Sequence, residues 1–246
     1  MSAVEDQIRE YVPEREDSQE ADDPLMLGPH QPTKVRSAFV KTVLAIVGMQ
    51  MLFVFLSCFA VSLYFSKNPW ILLSYGFTPL WIGVSMVLAF RIAAFWPSNL
   101  RSYPGKYAWL ALLTLGYTFI VAPFAPVFRL EILIAIETGV AIYMALIVYT
   151  STINPDFTGF GPYIVVLIVS TIGNGVGAFV VIQMRSTLGL GVLITLGALL
   201  VVRNLQLVMA KDFTFKLYVD DYIFGAVLLY INSFLMTNLM NWYHRK

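Results

Sequence analysis

From position 38 onward the chain alternates long apolar runs with short polar breaks, each break holding a charge or a turn residue. The pattern predicts seven spans, at 38–65, 71–96, 107–127, 130–150, 161–183, 188–209 and 222–242. Their lengths are near or above the roughly 20 residues that cross about 30 Å of hydrocarbon as a helix. Lipid gives backbone amides no water to bond, so each run must satisfy its own N–H and C=O groups. No period of two suggests a barrel. The expected fold class is an all-α integral membrane protein, a seven-transmembrane-helix bundle occupying 38–246.

Composition supports lipid as the solvent: 58% of the chain is hydrophobic, 13% is charged, and the mean hydropathy is +0.73. A soluble core could not absorb so much apolar surface. Seven spans with short connections use most of the 246 residues, leaving no room for a separate catalytic domain of ordinary size. Function is therefore expected within the bundle or on its tail. Trp70, Trp96, Tyr103, Tyr107, Trp242 and Tyr243 fall near span ends, where aromatic rings sit at the headgroup level.

The net charge of +1 conceals a segregation, because residues 1–37 hold nine acidic side chains against four basic ones. With few large apolar groups, this stretch is expected to be an acidic, disordered cytoplasmic tail. It lacks the basic and short apolar regions of a cleavable signal, so the first span is expected to act as the insertion signal. An inside amino terminus places Lys34, Arg36, Arg101, Lys106, Lys211 and Lys216 in the cytoplasm and Lys67, Arg129, Arg185, Arg245 and Lys246 outside, six against five. No basic patch suited to nucleic acid is present.

Catalytic signatures are missing from the sequence: there is no HExxH, no GxSxG, no phosphate loop and no His or Cys cluster. No enzymatic activity, cofactor or metal is expected. The single cysteine, Cys58, lies among apolar neighbours and reads as packing.

Polar groups inside the apolar runs carry more information, since an ionisable side chain at bilayer depth costs several kcal/mol unless it pairs, snorkels or meets water. Glu137, about two turns into the fourth span, is the deepest carboxyl group in the chain. It could brace helices or line a hydrated path. Arg203, Asn204 and Gln206 stand in the sixth span, and Asn232, Ser233 and Asn238 in the seventh. Asn204 and Asn232 could bond across a helix pair while staying neutral. An ion pair between Arg203 and Glu137 would require the fourth and sixth spans to touch.

Two stretches point to a family. The segment 135–146, followed by Tyr149-Thr150-Ser151 and Asp156-Phe157-Thr158-Gly159, is one. The other is Asp221-Tyr222-Ile223-Phe224-Gly225-Ala226, continuing to Leu229-Tyr230-Ile231-Asn232. Val35-Arg36 with Phe39-Val40-Lys41, and Tyr103-Pro104 ahead of 110–115, add to them. In this order they resemble the transmembrane Bax-inhibitor motif, or lifeguard, proteins, across the whole membrane portion. The resemblance implies a bundle with a central last helix, in endoplasmic reticulum, Golgi, endosomal or plasma membranes, linked to calcium leak and suppression of cell death. It also implies an aspartate in each of the sixth and seventh helices, sharing a proton to gate the path. Matching Gln206 and Leu229-Tyr230 to the family pattern places those positions at Asn204 and Asn232.

Both acids are thus replaced by carboxamides, which do not titrate and attract Ca²⁺ less than carboxylates do. Only Glu137 could substitute. Such a double loss fits a divergent member, of the kind herpesvirus genomes encode. Two functions follow as expectations. One is a Bax-inhibitor-like protein modulating intracellular calcium and apoptosis without the di-aspartyl pH gate, with Asn204, Asn232, Glu137 and Arg203 near the former path. The other is a non-conducting viral or host adaptor that redirects other membrane proteins. The expected partners are the lipid bilayer, calcium ions and other membrane proteins.

Overall fold

A computed structural model describes residues 27, 31–74, 77–93, 103–152, 157, 159–180, 184–209, 218–219 and 221–231. The described chain is all-helical, without strands. The principal helices are α1 (Thr33–Tyr64), α2 (Thr78–Ala93), α3 (Gly105–Val121), α4 (Arg129–Thr152), α5 (Gly161–Val180), α6 (Met184–Met209) and α7 (Tyr222–Ile231), with a single turn at Ile71–Ser74 before α2. Among the described residues, four helical stretches are long and apolar enough to cross a membrane: Thr33–Tyr64, Gly105–Phe124, Arg129–Thr152 and Gly189–Leu207. Two more apolar stretches are shorter, Thr78–Ala93 and Gly161–Gly177.

Prolines set several boundaries. Pro32 precedes α1, and the helix stops ahead of Lys67-Asn68-Pro69. The run expected to be helical over 71–96 is divided, because Pro79 fits only a first helical turn and α2 starts one residue before it. The expected span 107–127 ends early as an α-helix. Pro123 offers no N–H and crowds the carbonyl four residues back, so the chain tightens into a 3₁₀ turn at Ala122–Phe124. Beyond Ile231 the expected seventh span lies outside the described residues, as does most of the expected acidic tail. Leu27, within that tail stretch, is buried in the main apolar cluster.

The bundle is organised around α4, which packs against α1, α5 and α6, while α2 pairs with α3. α7 lies on α1, α3 and α6, with Phe224, Ala226 and Val227 buried. Gly48 sits beside Tyr143, and Met51 reaches the position of Gly139, so α1 and α4 run antiparallel. Large apolar side chains face outward along the bundle, among them Met49, Leu56, Leu88, Val148 and Leu193. In water this surface would drive association; in lipid it is ordinary.

Inside, where apolar contact gives helices no advantage over lipid, packing and polar bonds must hold them together. Gln50 on α1 donates to the Thr114 hydroxyl on α3 at 2.6 Å and reaches the Leu110 carbonyl at 3.5 Å. Both residues lie near the middle of their helices. Replacing Gln50→Leu is expected to lower stability by about 1 kcal/mol, the scale of one interhelical bond in lipid. Unfolding in mixed micelles would measure it, and an unchanged midpoint would remove the bond's structural role.

Candidate functional site

The end of the bundle that holds the start of α1 also holds the α4–α5 connection and the last turns of α6. There Asn204 is buried on α6 and donates to the backbone carbonyl of Leu229 on α7 at 3.4 Å. Leu229 stands three positions before Asn232 in the sequence, and Asn232 lies outside the described residues. The α6–α7 seam is thus tied by an amide-to-carbonyl contact, and neither described helix contains a carboxyl group.

Gln206, two residues further along α6, makes a denser set of bonds. Its amide nitrogen donates to the carbonyls of Phe157 at 2.9 Å and Gly159 at 2.8 Å, and its carbonyl accepts from the Tyr163 hydroxyl at 2.9 Å. A primary amide alone among neutral side chains supplies two donors and an acceptor from one short stem, so one residue fastens α6, the α4–α5 connection and α5. Phe157 and Val219 are buried in the same apolar cluster as Leu27. Side chains from the amino-terminal stretch and from two connecting segments therefore pack against this core.

Glu137 lies away from this end, near the middle of α4, while Arg203 adjoins Asn204 on α6. Both are exposed, whereas Thr138, next to Glu137, is buried and points at Gly173 of α5. The fourth and sixth spans do touch, yet the two charges do not pair. Gly139 packs beside Ile194, and Tyr149 meets Gly161 at the end where Gln206 bonds Gly159, so α4 and α6 run parallel. Arg203 lies nine residues beyond Ile194, which puts it about 16 Å along the axis from Glu137 at 1.5 Å per residue.

A second polar group, not singled out by the sequence pattern, joins α5 to α6. Asn174 donates to the Ser170 hydroxyl at 3.0 Å, Ser170 bonds the Thr195 hydroxyl, and Thr195 donates to the Gly191 carbonyl at 2.7 Å. A Cβ at Gly191 would collide with the Asn174 carboxamide, so glycine is what lets α6 approach here. Ser170, Asn174 and Thr195, with Leu167, Val192 and Leu196, line a shallow groove whose walls are mainly apolar. Ser170, Asn174 and Thr195 bond to one another and to the Gly191 carbonyl, which suits helix adhesion, while the buried Asn174 Oδ1 has no partner among the described residues. The signal for it was an asparagine within a glycine-rich apolar run.

Among the described residues no three His, Cys, Asp or Glu side chains converge as a metal would require. No protein-family model, no curated protein and no solved structure matches the chain.

Proposed function

We propose that this chain is a seven-span integral membrane protein that acts as a non-conducting adaptor, holding or redirecting other membrane proteins in the endoplasmic reticulum, Golgi, endosomal or plasma membrane of its cell. The observation that carries this reading is the placement of Glu137. The carboxyl group nearest mid-span faces out of the bundle, Glu131 is buried only in the first turn of α4, and the α6–α7 seam is tied through a carboxamide. A calcium path needs oxygen ligands lining an interior route, preferably carboxylates. An association surface needs its polar group on the outside.

A second reading follows from Asn204. Its burial against α7 is where the Bax-inhibitor resemblance would place one former gate residue, and that reading makes the chain a modulator of calcium and apoptosis. Calcium-loaded vesicles containing the full chain separate the two. The adaptor reading expects vesicles as tight as protein-free ones, while Asn204→Asp with Asn232→Asp tests whether restored acids reopen a route. Calcium release through the native chain would overturn the adaptor reading.

A further inference from the structure

We infer that the outward stripe of α4 around Glu137 is a docking face for a transmembrane helix of another protein that carries a lysine or arginine at mid-membrane depth. This rests on the adaptor reading above and names the partner's chemistry.

Leu130, Glu137, Ala141, Met144 and Val148 are all exposed and follow one another at intervals of seven, four, three and four residues. Such spacing is a single face of a helix, of the kind a neighbouring helix packs along. Glu137 is the ninth of the 24 residues of α4, about 5 Å from the helix midpoint. Its depth is fixed independently by its neighbours, because Thr138 abuts Gly173 and Gly139 abuts Ile194, both well inside their own helices. Headgroups lie about 15 Å from the bilayer centre, beyond the reach of a glutamate held at this depth.

No described residue pairs with Glu137, and Arg203 is too far along the bundle to serve. A second copy is a poor occupant. Copies related by an axis normal to the membrane keep every residue at its own depth, and symmetric contact along this stripe would set acid against acid. The flanking groups of the stripe are apolar, so they provide no water-lined alternative. What complements an isolated acid on a greasy helix face is a cation on another greasy helix, since ionisable groups within membranes pair with one another.

The test uses the full chain in phosphatidylcholine vesicles with fluorescent synthetic leucine-alanine helices, read by energy transfer. One helix carries lysine at its centre, one leucine at its centre, and one lysine at its end. The central-lysine helix should associate about tenfold more tightly than the other two, a difference on the scale of interhelical polar bonds. Glu137→Leu should erase the preference, and Glu137→Lys should transfer it to a helix with a central glutamate, showing that the variants remain folded. Equal association of all three helices, or a preference that survives Glu137→Leu, overturns the docking face. So does Glu137-dependent transfer between labelled copies of the chain in the absence of peptide preference. Calcium release from the same vesicles overturns the adaptor reading itself, whereas tight vesicles lacking the peptide preference overturn only the face on α4.

Discussion

Gln206→Glu is expected to destabilise the folded chain by roughly 2–4 kcal/mol, more than any other single polar change described above. The amide nitrogen donates to two backbone carbonyls, of Phe157 and Gly159, and an ionised glutamate has no donor to replace it. The Phe157 bond is partly buried and its carbonyl would be left without a partner, which dominates the loss. The Gly159 bond is exposed, so water can take its place at lower cost. A carboxylate oxygen facing carbonyl oxygens adds repulsion. Only the Tyr163 hydroxyl keeps an acceptor. Thermal unfolding in detergent, followed by circular dichroism, should show a fall of roughly 10 °C for a domain of this size. Gln206→Met, which removes the donors without adding charge, should fall less. A Gln206→Glu protein as stable as the parent would mean that the α4–α5 connection is not fastened through this residue.

Gly83→Val is expected to separate α2 from α3, at a cost of about 1–3 kcal/mol. A Cβ at Gly83 would stand 2.6 Å from the Gly116 carbonyl oxygen, 2.9 Å from the Ile120 nitrogen and 2.9 Å from Ile120 Cγ1. Two of those three atoms belong to backbone, which cannot rotate away as a side chain can. The contact is mutual, since a Cβ at Gly116 would meet Val87, Met86 and the Gly83 carbonyl between 3.0 and 3.3 Å. Gly175→Ala on α5 supplies the comparison, because nothing lies within 4 Å of a Cβ there. Resistance to unfolding by sodium dodecyl sulfate should drop for Gly83→Val and hold for Gly175→Ala. Equal resistance would show that the two helices can part without loss.

Where helices begin and end was largely legible, and which way they face was not. The expected 130–150 and 161–183 compare with Arg129–Thr152 and Gly161–Val180, because charges and turn residues punctuate apolar runs. Pro79 and Pro123 moved boundaries that hydropathy alone smooths over. Facing is harder for a physical reason. In water a helix betrays its inner side by being greasier there; in lipid both sides are greasy. On α4 the residues on either side of the decision, Glu137 and Thr138, point out and in respectively, and nothing periodic in the surrounding Ile, Ala and Val distinguishes them. Asn204 was expected to bond Asn232, which lies outside the described residues, and it meets the Leu229 carbonyl of α7, whereas Gln50 and Asn174 stood in equally apolar runs and did not stand out.

The length of α1 bears on how the chain sits among lipids. At 32 residues α1 is about 48 Å long, well beyond the roughly 30 Å of a hydrocarbon core. It must lean, or project its ends into the headgroups. Either way the cost falls as the acyl layer thickens, which gives this helix a preference for bilayer thickness.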